Sequence, residues 1–328
     1  MMDTGRPPTN ALARDRLKNY FCASTVVLCL MVFLGASGAD ASGGSAAGSR
    51  AHAMSLTQAV ILGITEGVTE YLPVSSTGHL YLASRLMGLG RTPREIEAVN
   101  AYVIAVQIGA ILAVFWLYPH RVRSMLRGLA GRDRQGMSLA LCALAALLPA
   151  AAAGLVLGEA IKARLFRVWP ITWALLAGGI AILAVAKRLR HGTGGGKRIE
   201  DLGLTGALII GFAQCIALWP GVSRSLVTIL AGVITGLTVR AAVEFSFILG
   251  LVTLGAATVY EIAREGPAMI LQFGWQAPLV GIVVAFASAV AAVRWMVSYL
   301  NRHGLEVFGY YRIALGIACM GLALMGVL

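Results

Sequence analysis

The sequence predicts an all-α polytopic membrane protein, with six transmembrane helices and two re-entrant helical hairpins arranged as an inverted repeat. Three observations predict it. The chain is 58% hydrophobic with 13% charged residues, and its mean hydropathy of +0.78 lies far above that of soluble domains. Its apolar residues recur in runs, several of about 18 to 22 residues, the length that crosses a bilayer core. Two pairs of shorter runs are each broken by a polar stretch containing proline, which removes a helix hydrogen bond and leaves polar backbone that protein must bury.

Residues 1–53 stand apart. Arg6, Arg14, Arg16 and Lys18 precede an apolar stretch at 24–34, followed by a small-residue segment containing Ala39-Asp40-Ala41, the form of a signal cleavage site. The segment reads either as a secretory signal or signal anchor, or as an extension upstream of a start at Met54. In both readings 54–328 is a single integral membrane domain.

Beyond Met54 the apolar runs lie near 56–72, 78–88, 99–118, 137–157, 168–186, 204–219, 226–239, 243–262, 275–293 and 306–328. The first two runs form one hairpin, broken at Pro73, and 204–219 with 226–239 forms the other, broken at Pro220. At an offset of 148, AVILGITE (59–66) lies over ALIIGFAQ (207–214), and Val74-Ser75 lies over Val222-Ser223. A weaker echo pairs IGAILAV, from Ile108, with LGAATVY, from Leu254, so the repeats run over about 54–190 and 200–328.

Six spans and two hairpins place thirteen Lys/Arg on one side, among them Arg121, Arg123, Arg127, Lys187, Arg240 and Arg294. The other side receives seven, Arg85, Arg91, Arg94, Lys162, Arg164, Arg167 and Arg264, together with Glu95, Glu97, Glu159, Glu261 and Glu265. The richer side is expected to be cytoplasmic. The first hairpin then enters from outside and the second from the cytoplasm, the inverted arrangement that builds a polar site where two halves meet. The net charge of +12 reads as this topology signal, because the basic residues sit between apolar runs without an aromatic-interleaved patch; no nucleic-acid partner is expected. Cys22, Cys29, Cys142, Cys215 and Cys319 lie singly in apolar surroundings, as packing residues do.

The chemistry concentrates at 66–79, EGVTEYLPVSSTGH. Glu66 and Glu70 share a helix face one turn apart, where an ionised pair repels itself unless a cation or an arginine lies between them. Ser75, Ser76 and Thr77, with Gly78, follow Pro73 and precede the next apolar helix, where backbone N–H groups point at an anion; the same string also serves as an ordinary N-cap. His79 is the one histidine grouped with carboxylates and hydroxyls, and so a candidate proton carrier or ligand. In the second hairpin WPGVSRS puts Arg224 between Ser223 and Ser225, in an apolar setting where a guanidinium suits carboxylate or phosphate oxygens. Carboxylates, hydroxyls, a histidine and an arginine together describe an anionic substrate with a divalent cation, and phosphoryl chemistry fits best. Gln107, polar within a span, either faces the same cavity or bonds a neighbouring helix.

This pattern closely resembles the undecaprenyl-diphosphate phosphatases, the bacitracin-resistance family. It rests on EGVTEYLPVSSTGH and PGVSRS, with AVQIGAILAV (105–114), EFSFIL (244–249) and YRIALG (311–316), and runs from about Met54 to the C-terminus. The resemblance implies hydrolysis of the C55 isoprenoid diphosphate to the monophosphate carrier lipid and phosphate. It further implies a divalent cation, Mg2+ or Ca2+, a site open to the periplasmic side of the bacterial inner membrane, and a role in bacitracin resistance. Carried over, the family's Glu pair falls on Glu66 and Glu70, its hydroxyl cluster on Ser75, Ser76 and Thr77, its histidine on His79 and its phosphate-binding arginine on Arg224 beside Ser223. The mechanism expected from these has Ser76 as nucleophile, Glu70 as base, Glu66 and Glu70 on the cation, and His79 protonating a departing oxygen or helping to release the phospho-serine. Ser75, Thr77 and Ser223 bind substrate. The nucleophile stays open among Ser75, Ser76, His79 and a metal-bound water. Two positions depart from the family pattern: Leu226 stands where glycine usually follows PGxSRS, and the proline common after EFSF is missing. The competing reading is a lipid or small-anion transporter or flippase using the same midplane residues. Ala and Gly in the spans permit a homodimer.

Overall fold

The computed structural model describes residues 54–90, 92–190, 195–326 and 328; the signal-like segment 1–53 and Arg91 lie outside them. The described residues fold almost entirely as helices. The first pair is α1 (Leu56–Thr69) and α2 (Ser76–Leu86), followed by α3 (Pro93–Leu117), α4 (Pro119–Leu129), α5 (Arg134–Leu165) and α6 (Val168–Arg190). After a 3-10 turn at Ile199–Asp201 come the second pair, α7 (Leu204–Gln214) and α8 (Arg224–Ile234), then α9 (Val239–Phe273), α10 (Gln276–Leu300) and α11 (Glu306–Leu324).

Local chemistry sets many of these starts. Ser55 with Gln58 and Thr92 with Glu95 form capping boxes at α1 and α3, and Pro93 occupies the first turn of α3, where no N–H is missed. Asp133 and Thr238 accept from the first-turn amides of α5 and α9. Stretches of α3, α5, α6, α9, α10 and α11, six in all among the described residues, are long and apolar enough to cross a membrane. The protein is a multi-pass membrane protein.

Two elements depart most from the runs read in the sequence. Residues 119–129, which fall between the apolar runs 99–118 and 137–157, form α4, a basic amphipathic helix folded back on α5; Gly128 and Gly136 let the two backbones touch, since a Cβ at either would fall on the facing main chain. Helix α9 runs through Pro267 to Phe273, well beyond the expected 243–262.

Packing follows a paired plan. Helix α1 lies on α10 and α7 lies on α5. In the first contact a Cβ added at Gly63 would stand 2.7 Å from the Gly281 carbonyl, and in the second one at Gly211 would stand 2.6 Å from that of Ala146. Gly63 and Gly211 are 148 positions apart. Helix α3 packs on α9, and α6 on α11 through Gly178, Gly179, Gly309 and Gly316. The largest core cluster joins Tyr71, Leu72 and Val74, after α1, to Phe245 and Phe247 of α9, with Tyr71 edge-on to Phe247 at 5.2 Å.

Candidate active site

Each helix pair closes through a strained turn. Helix α1 stops at Glu70, whose N–H donates to the Glu66 carbonyl at 2.9 Å, and beyond Pro73 the Val74 N–H donates to the Leu72 carbonyl at 2.8 Å. Ser75 then adopts φ 77° and caps α2, its Oγ accepting from the Gly78 N–H at 3.3 Å. In the second pair the Val222 N–H donates to the Trp219 carbonyl at 3.1 Å, and Ser223 adopts φ 79° and caps α8 by accepting from the Leu226 N–H at 3.3 Å. Among the described residues these two serines are the only non-glycine positions with positive φ. Such a conformation costs on the order of 1–3 kcal/mol each, and persists where the surroundings over-determine it.

The turns put Ser76 and Arg224 at the first helical position of α2 and α8, and Glu70 bridges them. Ser76 Oγ donates to Glu70 Oε2, while Arg224 Nη2 donates to Glu70 Oε1 at 3.0 Å. Arg224 Nη1 also donates to the Ser246 carbonyl at 2.8 Å, its guanidinium lies 5.5 Å from the Tyr71 ring centre, and its Nε has no partner. Ser225 Oγ donates to the Leu72 carbonyl at 2.9 Å, a second link between the turns.

A cavity of about 560 Å3 opens from this cluster. Glu70, Ser75, Ser76, Thr77, Ser223 and Arg224 form its polar head, Gln107 and Gln214 lie along its sides, and α5 and α9 supply apolar walls, Leu147, Leu155 and Leu254 among them. It extends to Ile161 and Phe166, the end of the bundle where α5 passes into α6. That is the end opposite Arg121, Lys187 and Arg240, because successive spans alternate in direction. Two helix N-termini, whose first N–H groups have no intrahelical partner, converge on the head beside a guanidinium. The arrangement suits an anionic head group with a long apolar tail.

Two expected site residues do not line the cavity. His79 is held between other groups: its Nδ1–H donates to the Ser75 carbonyl at 2.6 Å, which leaves Nε2 to accept from the Tyr311 hydroxyl at 2.6 Å. Glu66 is fully buried one turn below Glu70, and neither of its oxygens has a hydrogen-bond partner. An orphaned buried carboxylate beside a second one fits a cation site. Among the described residues no cluster of three or more His, Cys, Asp or Glu exists, so the protein offers two carboxylates, the number with which Mg2+ is usually held when phosphate oxygens complete its shell.

Sequence reasoning missed Gln214, Tyr311 and Arg312. Gln214 occupies the position that matches Glu66 at the 148 offset; it is buried, with Oε1 unpartnered. That alignment was its available signal.

The family described as bacitracin resistance protein BacA matches residues 59–318. An undecaprenyl-diphosphatase of Sorangium cellulosum is 45% identical over 260 residues, covering 79% of this chain and 83% of the relative. Undecaprenyl-diphosphatase 2 of Rhodospirillum rubrum is 43% identical over 274 residues, covering 83% and 96%, and undecaprenyl-diphosphatase 1 of Paraburkholderia xenovorans 40% over 263 residues, covering 79% and 92%.

Proposed function

The chain belongs to the bacitracin resistance protein BacA family, and from that premise we propose that it hydrolyses undecaprenyl diphosphate to undecaprenyl phosphate and inorganic phosphate. The reaction returns the carrier lipid to cell-wall synthesis and confers bacitracin resistance. One observation carries the reading: Ser76, Glu70 and Arg224 meet at the polar head of a cavity with apolar walls.

In the mechanism the Ser76 oxygen adds to the terminal phosphorus while its proton passes along the existing hydrogen bond to Glu70 Oε2. The bond from that phosphorus to the bridging oxygen breaks, and undecaprenyl phosphate departs with the electron pair and the proton from Glu70. Glu70, again a carboxylate, takes a proton from the water that adds to the phosphoserine, and returns it to Ser76 Oγ as phosphate leaves. Arg224 and the first-turn amides of α2 and α8 stabilise charge on the equatorial oxygens. Ser75, Thr77 and Ser223 hold the diphosphate, and His79 fixes the Ser75 turn through its carbonyl. Glu66 and Glu70 would hold a divalent cation, Mg2+ or Ca2+, which when bound neutralises diphosphate charge.

The reading places the protein in the bacterial cytoplasmic membrane with the cavity open to the periplasm. Its support is the basic excess at the opposite end of the bundle. The test uses purified protein in liposomes with undecaprenyl diphosphate labelled at the terminal phosphorus. Label recovered as inorganic phosphate with undecaprenyl phosphate left behind is expected; labelled lipid moved intact to the other leaflet would favour a flippase.

A further inference from the structure

Arg312, about two turns into α11, is wholly buried, and among the described residues no carboxylate pairs with it. A guanidinium at membrane depth without a counter-ion is expensive, so its contacts indicate its use. All three are main-chain carbonyls. Nη2 donates to Gly221 at 2.7 Å and to Ala174 of α6 at 2.9 Å, and Nη1 donates to Pro73 at 3.4 Å.

Pro73 and Gly221 are 148 positions apart, the same place in the two turns, each two residues before a serine of positive φ. Arg312 therefore joins the two halves of the site through their main chains, a link separate from the Glu70–Arg224 pair. Helix α6 is shaped for it: a Cβ at Gly178 would fall on the guanidinium. The adjoining Tyr311 reaches the first turn by a separate route, through His79 to the Ser75 carbonyl. A planar fork can hold carbonyls in divergent directions, which an ammonium on a flexible stem does not.

We propose that Arg312 is a positioning residue for the hydrolysis, tying both turns together so that Ser76 and Arg224 meet one substrate phosphate in register. The kinetic part rests on the phosphatase reading above. The geometric part does not: the two turns are held by one side chain and loosen together when it is changed.

The experiment compares wild type with Arg312→Lys, which keeps the charge and loses the fork, and Arg312→Gln, which keeps an N–H donor without charge. Each is purified in lipid nanodiscs and checked for folding by thermal melting. Folded variants are expected to lose about 100-fold in kcat, the scale of an ångström-level misplacement, with KM changed by less than about threefold. Hydrogen exchange is expected to rise together at 75–78 and 223–226. A folded Arg312→Lys with kcat close to wild type, or faster exchange in one turn alone, overturns the proposal. If neither variant folds, Gly178→Ala displaces the guanidinium while keeping it; unchanged kcat in that variant, or its own failure to fold, reduces Arg312 to a folding residue and also overturns the proposal. A wild type that releases no phosphate removes the phosphatase reading, and the exchange result still decides whether one side chain holds both turns.

Discussion

Arg224 and Glu70, 154 residues apart in the chain, form an ion pair of 3.0 Å with side-chain exposures of 12% and 5%. The pair crosses from one helix pair to the other, so the site exists only where the two halves meet. Desolvation makes such a pair no reliable source of stability, and removing one partner leaves the other charge buried. Its use is better sought in the proposed reaction, where the carboxylate that would receive the Ser76 proton is held in place by the guanidinium that would face substrate phosphate.

Ser76→Ala is expected to remain folded and to lose about 1,000-fold or more in kcat, since it removes the proposed attacking atom while leaving Glu70 and Arg224 paired. Single-turnover assays with terminally labelled substrate check this, with label on the protein in wild type and none in the variant. Near-normal turnover in folded Ser76→Ala would move the attack to another group.

The strained turns make a prediction that is independent of activity. Ser223→Ala keeps the unfavourable φ of 79° and loses the cap to Leu226, while Ser223→Gly loses the cap and relieves the backbone. The glycine variant is expected to be the more stable by about 1–2 kcal/mol, read by denaturation in detergent. The opposite order would show that the turn carries no strain.

The six spans were legible because hydropathy and length suffice for them, and the broken pairs because Pro73 and Pro220 interrupt apolar runs with polar residues. Helix α4 was not, since its many arginines silence hydropathy, although Val122, Met125, Leu126 and Leu129 carry a helical spacing. At the site, Ser76, Glu70 and Arg224 were readable from two dense motifs. The Tyr311–His79 contact spans 232 residues and leaves no local trace. Arg312 did leave one, a lone cation inside an apolar helix, but a count of charges by loop passes over it.

Close backbone contact between α1 and α10 depends on missing side chains. Gly67→Ala would press a Cβ into Ser288 and the Ala285 carbonyl, and Gly63→Ala would press one onto Gly281. Each is expected to destabilise by about 1–3 kcal/mol or lower the folded yield. Gly321→Ala, with nothing within 4 Å of its Cβ, is the control and should be neutral or stabilising. Equal melting temperatures for all three would contradict this packing.

The end of the bundle away from the cavity carries an acid-sensitive latch. Arg121 donates to Glu200 and to Glu244, each at 2.7 Å. The hydrogen bond from Arg121 holds the Glu200 carboxyl below its ordinary value near 4.5. A depressed folded value means that the stabilisation is complete above about pH 4.5 and is lost as pH falls through the lower folded value. Melting curves at a series of pH values should show wild type losing its advantage over Glu200→Gln below that point. A gap between the two that does not change with pH would show that the ionised carboxylate contributes nothing.

The central claim is that Glu70 and Arg224, one from each half, act on one diphosphate. Its most direct test is phosphate release from undecaprenyl diphosphate by purified wild type, Glu70→Gln and Arg224→Ala, each with Mg2+, with Ca2+ and with EDTA. The account predicts cation-dependent release by wild type and a loss of about 100-fold or more in both folded variants. Near-wild-type release by either folded variant would contradict it.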